Sequence, residues 1–483
     1  MKKSLVFIFI AFLGIFTIAQ ETLDFVPSSA GYFFLLRDTR GNLDILKENT
    51  NFFYTYLADE GAGIESLMTS TIEGILDSGV SGEQVFNQAL SDEVLIAGES
   101  FSLNLEDLLT FDPFYLISTL KSDGMIFYVV WKCSEPEVLL EVISKLSNTS
   151  KIIQPGEKIG ELRSNGGTLF YSIKDEYLLL GNNSESLKKA LDAYDGKVER
   201  LVDVSEKVKE LQEKSTQYWI TGYFQSDKFD INFGLHLPFK TKDTTLFARP
   251  EGHTLTATIS QSTLFINPED LDSLRSSIDG KEGLDTPFFG DFIVTFPHDS
   301  IKTLRRELSH WFEMDLESYR ELAELMGDIA MKSTGYVRVY GDLITEESSP
   351  VINLEFNISE QLEKEKERLL EWGAERFEDN EIEIFKLENF FETLYFIFQP
   401  SKLVVTTLDS NEYFSRLENG KVLTKDPQYT FLKHLGMTED IAEIFVNLGE
   451  LFSYILGLNV DSAILYQETV DSSGTFIHTL RIY

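Results

Sequence analysis

The sequence predicts an α+β fold made of two homologous modules of antiparallel sheet covered by helices, arranged by internal duplication with pseudo-twofold character. Three observations predict it. Short β-rich runs follow one another across polar turns. Helical patterns gather in two places and do not alternate with every strand, as a doubly wound parallel sheet would require. Short words also recur at a fixed interval: Thr168-Leu169-Phe170-Tyr171 returns as Thr393-Leu394-Tyr395-Phe396, 225 residues on (168 to 393). His253-Thr254-Leu255 returns as His478-Thr479-Leu480, and Ser134-Glu135 as Ser359-Glu360, at the same spacing. Gly196-Lys197-Val198 answers Gly420-Lys421-Val422 one residue short. A shared period over more than a hundred residues reads as duplication.

The elements follow in order. Pro27 and the run AGYFFLL (30 to 36) answer Pro287 and GDFIVTF (290 to 296), here 260 residues apart (27 to 287). The first copy therefore carries an insertion within about 69–125. After each opening strand the pattern predicts a long helix (39 to 58; 299 to 314) and a second helix (64 to 77; 316 to 331). Two strands follow (93 to 98 and 125 to 132; 335 to 341 and 350 to 357), then a helix (135 to 147; 359 to 377). A hairpin comes next, turning at Lys174-Asp175-Glu176 in one copy and Gln399-Pro400-Ser401-Lys402 in the other. Asn183 or Ser184 caps the helix that ends near Gly196, and Asp409 caps its counterpart before Gly420. The strands at 218 to 224 and 443 to 449 open a closing antiparallel run. It includes INFGLHLPF (231 to 239) and a last hairpin turning at Asp471-Ser472-Ser473-Gly474. Helices are expected on one face of the sheet.

Domain boundaries follow: residues 1–19 a signal peptide, 23–262 the first module, 263–284 a connector and 285–483 the second module. The signal is read from Lys2 and Lys3, an apolar run from Leu5 to Ile18, and small residues before a cleavage site at Ala19. No lipobox cysteine stands there. No later stretch is apolar enough for a membrane span, which predicts an extracytoplasmic mature chain, periplasmic or secreted. At 483 residues and 43% hydrophobic content the chain is too large for one core. Its 42 basic and 79 acidic residues leave a net charge of −37, which repels phosphate backbones and argues against nucleic acid as a partner.

Candidate chemistry is sparse. Cys133, the single cysteine, follows MIFYVVW at a strand end and reads as a buried inert thiol. Six histidines form no HxxxH or HExxH pair, so no metal site is predicted. His236 falls on the polar parity of its strand. His253 and His478 occupy matching positions, and a strand histidine without a placed partner makes no site. Ser118-Thr119-Leu120-Lys121 and Ser186-Leu187-Lys188-Lys189 match S-x-x-K without its companion motifs. Gly160 to Gly167 reads as a loop. The acidic run Glu360 to Glu383 reads as a solvated amphipathic helix, with Glu360 and Lys364 paired and Leu362, Leu369, Trp372 and Phe377 as its apolar stripe. No catalytic, cofactor-binding or metal-binding residue is assigned.

The export signal, the opening P-x-x-A-x-Y-F-F-L-L strand and the unit LFYSIKDEYLLLGNNSESLKKALDAYDGK together resemble an uncharacterised bacterial family of exported proteins, a domain of unknown function. In that family a module of this type follows a signal sequence or membrane anchor. The resemblance rests on hydrophobic pattern, covers the first copy best, implies the architecture and brings no catalytic residues with it. The function expected is that of an exported non-enzymatic binding or envelope-structural protein, with an envelope protein or an apolar ligand as partner. The alternatives are an extracytoplasmic hydrolase using dispersed acidic or Ser/His residues, and a carrier of lipid or another apolar ligand. The 38 Phe and 19 Tyr are the composition a ligand cleft would draw on.

Overall fold

The computed structural model describes residues 22–75, 81–91, 93–102, 126–153, 158–164, 167–225, 229–230, 241–263, 286–297, 317–343, 350–379, 382–388, 393–435, 442–449, 453, 457, 460–471 and 474–483. The chain is mixed α and β. It divides into two compact units, Met1–Asn232 with Thr241–Ser262, and Phe233–Lys240 with Thr263–Tyr483.

The first unit is built around β1 (Tyr32–Leu36). Its sequence YFFLL has no polar parity because both faces are buried: Phe33 and Leu35 enter one core, while Phe34 and Leu36 pack into the other. β1 pairs antiparallel with β2 (Val94–Ser102) on one edge and β8 (Ile220–Gln225) on the other. Beyond β2 the sheet runs through β3 (Ile126–Lys132), β7 (Tyr177–Gly181), β6 (Gly167–Lys174), β5 (Gly160–Ser164) and β4 (Ser150–Ile152). Beyond β8 lies β9 (Thr241–Glu251), which turns at Gly252 (φ 61) into β10 (Thr254–Thr263).

Helices cover both faces. On one lie α1 (Thr39–Asn49), α2 (Asn51–Leu57), α3 (Ile64–Glu73), α4 (Gly82–Ser91) and α5 (Pro136–Leu146), whose Leu46, Ile72 and Val142 pack with Trp131 and Leu178. On the other lie α6 (Ser184–Tyr194), α7 (Leu201–Val204) and α8 (Glu206–Lys214), whose Leu187, Ala190 and Leu211 pack with Leu95, Val130 and Leu179. One covered face was expected. Runs such as VVW and LLL carry apolar residues at both parities, and each parity needs its own layer of helix.

The second unit is centred on β11 (Phe292–Pro297), between β12 (Ser333–Asp342) and β18 (Ala442–Asn447). Past β12 come β13 (Val351–Ile358), β17 (Lys402–Thr406), β16 (Leu394–Gln399), β15 (Ile382–Leu387) and β14 (Glu375–Asp379). Past β18 come β19 (Ala463–Val470) and β20 (Phe476–Ile482). α9 (Glu317–Met331) and α10 (Glu363–Glu371) cover one face through Leu325, Ile329 and Leu369. α11 (Ser410–Glu418) and α12 (Pro427–His434) cover the other through Tyr413, Tyr429 and Leu432.

The paired strands run in the same order in both units, and their registers correspond. Tyr128 pairs with Gly181 where Asn353 pairs with Thr406, 225 residues on at both positions. Tyr32 pairs with Gly98 and Phe224 where Phe292 pairs with Gly341 and Val446. The interval is thus 260 at β1, 243 at β2, 225 at β3 and 222 at β8.

Several local expectations are corrected. The helix at 39–58 is two, broken at Thr50 (φ −124, ψ 132), whose Oγ1 donates to Leu46 O and accepts from Phe53 N. The helix at 359–377 stops at Glu371, where Gly373 (φ 88) reverses the chain into β14. Gly160 to Gly167 holds β5 and the start of β6. Lys174 pairs with Tyr177, so the hairpin turn is the two residues Asp175 (φ 53) and Glu176. The caps are as expected: Asn183 Oδ1 accepts from Glu185 and Ser186, and Asp409 Oδ1 from Asn411 and Glu412. The helix at 299–314, the strand at 231–239 and nearly all of the connector 263–284 lie outside the described residues.

Gly98 and Gly341 occupy matching places where three strands meet. A Cβ at Gly98 would lie 2.1 Å from the Ile126 carbonyl oxygen, and one at Gly341 1.8 Å from that of Val351. Gly98→Val and Gly341→Val are each expected to cost about 3 kcal/mol in urea unfolding, against a few tenths for Gly74→Ala, which meets ordinary contacts only.

Candidate functional site

Strands β1, β8 and β9 are neighbours, and Leu36 and Ala248 both pair with Ile220. One residue further along, Arg37, Trp219 and Arg249 reach the same end of the sheet, where Arg37 N donates to Trp219 O at 2.8 Å. Asp38, Asn42 and Ile45 stack on one stripe of α1 above them, at spacings of four and three. Together with Thr216, Gln217, Tyr218 and Pro250 they enclose a cleft of about 360 Å³, within the size of small-molecule sites.

Two guanidinium groups define the cleft's electrostatics. Arg37 is 5% exposed and Glu93 0%, with Arg37 Nη2 3.7 Å from Glu93 Oε1 and Thr22 Oγ1 donating to Glu93. Burial pulls the Arg37 pKa down and Glu93 pulls it back up; the group stays charged. Arg37 Nε is buried with no hydrogen-bond partner among the described residues. Arg249 lies 5.5 Å from the Tyr218 ring centre and pairs with Glu251 at 2.9 Å. Asn42 Nδ2 donates to Arg37 O and Asp38 O, bracing the start of α1 on the strand end, while Asp38 caps Gly41 N at 3.1 Å. Among the described residues the lining holds no Ser, Cys or His, and its one carboxylate serves as a helix cap. Such a set of side chains can hold and orient a ligand; it offers no nucleophile with a base.

The residues singled out from sequence do not converge. His253 is exposed, with Nδ1 2.9 Å from Asn49 O. His478 is 2% exposed, Nδ1 lying 2.8 Å from Tyr466 Oη and 3.6 Å from Glu468 Oε2. The shared interval does not give the two histidines the same surroundings. Tyr466 Oη is also 3.3 Å from Glu468 Oε2, so a chain from His478 N–H to Tyr466 to Glu468 satisfies all three with a neutral imidazole. Cys133 is buried at the end of β3. Ser186 is buried, and Lys189 is held by Glu99 at 2.6 Å. In the acidic run, Lys366 bridges Glu363 and Glu383, and Phe377 lies exposed on β14. Among the described residues no cluster of three or more His, Cys, Asp or Glu could hold a metal, and no helix is long and apolar enough to cross a membrane. His236 and Ser118 to Lys121 lie outside the described residues.

The second unit also buries charge, inside its sheet rather than at the sheet end. Arg338, 1% exposed, meets Glu355 at 3.0 Å, and Lys402 reaches the same Glu355 oxygen at 3.0 Å. Tyr340 and Tyr413 bond at 2.8 Å, and burial pushes both phenols up, Tyr413 to about 12. Asn353 donates to Tyr340 O and accepts from Thr406. At the matching positions of the first unit stand Leu95, Ala97 and Val130, all apolar and buried.

Sequence reasoning missed the cleft. The available signal was that Arg37 and Arg249 each end an apolar strand run, FFLLR and LFAR.

No family model and no curated protein matches the chain. Among solved structures, crystal form I of TP0453 is similar at 12% identity and TM-score 0.29, covering 54% of this chain and 87% of that one. Crystal form III is similar at 16% identity and TM-score 0.26, covering 39% and 74%. Likeness at these scores carries no argument about fold or function.

Two measurements check the second unit. Arg338→Met leaves buried Glu355 with only Lys402 and a long bond from the Tyr340 hydroxyl and is expected to cost about 3 kcal/mol in urea unfolding, whereas Arg338→Met with Glu355→Leu recovers most of it. Burial lowers the His478 pKa from 6.5 to about 4 despite nearby Glu468. The folded state thus resists a proton that the unfolded chain accepts, so stability full above pH 6.5 falls as pH drops towards 4. The loss is about 3 kcal/mol, and His478→Gln should remove that part of the acid slope.

Proposed function

We propose that the chain is an exported, non-enzymatic binding protein built by internal duplication, with the cleft of the first unit as its ligand site. The observation that carries the reading is the meeting of Arg37, Arg249, Tyr218 and Trp219 at the ends of three adjacent strands, in a chain whose net charge is −37. Cations gathered in so acidic a chain, beside aromatic rings and without a nucleophile, suit recognition better than turnover. A carrier for a wholly apolar ligand fits less well, since two guanidinium groups border the space.

Duplication is supported by strand order, by register and by individual backbone bonds. Gly31 N to Gly98 O (2.8 Å) is answered by Asp291 N to Gly341 O (2.8 Å), and Gln225 N to Gly31 O (2.8 Å) by Asn447 N to Asp291 O (2.7 Å). Cys133 N to Glu176 O (2.9 Å) is answered by Ile358 N to Ser401 O (2.8 Å). Two copies of one ancestral module would keep such a register, because it is fixed by the same buried pattern. Export rests on Lys2, Lys3, the apolar run and Ala19.

Native mass spectrometry of the chain purified without denaturation tests the reading. A small ligand is expected to be retained by the wild type and lost from Arg249→Gln with Trp219→Phe. Retention of the same mass by the double variant places the site elsewhere and removes the reading.

A further inference from the structure

We infer that the cleft selects a small organic anion, a carboxylate on an apolar body, over neutral or cationic molecules of the same size; this rests on the reading of the cleft as a ligand site. Charge comes first. Arg37 and Arg249 bring two guanidinium groups to the lining, each faced from outside it by a glutamate, Glu93 at 3.7 Å and Glu251 at 2.9 Å; among the described lining residues the one carboxylate, Asp38, accepts from Gly41 N.

Arg37 is the deeper cation. Its guanidinium is more than nine-tenths buried and meets Glu93 at a loose 3.7 Å, and its Nε–H has no acceptor among the described residues. That Nε is sealed from solvent, so Arg37 acts on the cleft through its charge rather than through this donor. Arg249 is the outer cation, its side chain 44% exposed, seated over Tyr218 and paired through one Nη with the exposed Glu251 at 2.9 Å, which leaves its other N–H donors for an incoming carboxylate. A planar guanidinium fork matches a carboxylate through two parallel N–H donors.

The rest of the lining is apolar or amphipathic. Ile45, Pro250 and Trp219 line it, so a bare inorganic anion would leave that surface without a partner. The matching positions of the second unit hold Pro297 and Thr469, neither charged. The selectivity belongs to the first unit.

Titration of the full chain with hexanoate, hexan-1-ol, hexylamine and inorganic phosphate, followed by the Trp219 indole N–H signal, tests this. The signal is assigned by its loss in Trp219→Phe. Hexanoate is expected to bind at least tenfold more tightly than hexan-1-ol, with hexylamine and phosphate weaker still. Arg249→Gln should weaken hexanoate about fivefold or more and leave hexan-1-ol unchanged, with Arg249→Lys in between. Equal binding of hexanoate and hexan-1-ol overturns the anion selectivity while the cleft remains a ligand site. Phosphate binding as tightly as hexanoate overturns the need for an apolar body. If no probe moves the Trp219 signal, both the selectivity and the ligand site fall.

Discussion

A strand hydrogen-bonded along both edges and buried on both faces has no surface left for water. In each unit such a strand, β1 or β11, fixes where everything else goes. Its edges set the register of two neighbours, Tyr32 against Gly98 and Phe224, and Phe292 against Gly341 and Val446. Its two faces demand two layers of helix, because a slip by one residue would exchange the side chains of both cores. Glycine at 98 and 341 follows from the same crowding, since backbone oxygens occupy the place of a Cβ. The chain's single thiol is a free cysteine, so hydrophobic burial carries the stability of both units without a disulfide.

From this common frame the units diverge in where they keep their polar groups. The second places Arg338, Glu355 and the Tyr340–Tyr413 pair inside, beneath α11, and Lys402 reaches in from the rim. A buried ion pair adds little net stability, yet it tolerates only the geometry that satisfies it. The first keeps that layer apolar, with Leu95, Ala97 and Val130, and has Arg37, buried against Glu93, and the more exposed Arg249 at the sheet end beside a cleft.

What sequence reveals here divides by the range of the interaction that decides it. The β6–β7 hairpin and the caps Asn183 and Asp409 were legible, because turn and cap chemistry act over two or three residues. The break at Thr50 was not, since Phe52, Phe53 and Tyr56 continue an apolar helical pattern across it and only a side chain bonded in both directions ends α1 there. The extra strand β14 was hidden in an acidic stretch that scans as helix beyond Glu371, with Gly373 as the one local signal. The cleft was beyond reach. Arg37, Trp219 and Arg249 are far apart in the chain and meet only because three antiparallel strands end together, a consequence of pairing that no local pattern encodes.

Hydrogen exchange of the whole chain, read by mass spectrometry, tests most directly the claim that two doubly paired strands organise the molecule. Amides of Phe33 and Leu35 in β1, and of Ile293 and Thr295 in β11, should be the slowest to exchange in their respective units, with β4 and β14 at the sheet edges opening first. Exchange of either central strand at the rate of its edge strands would contradict the account.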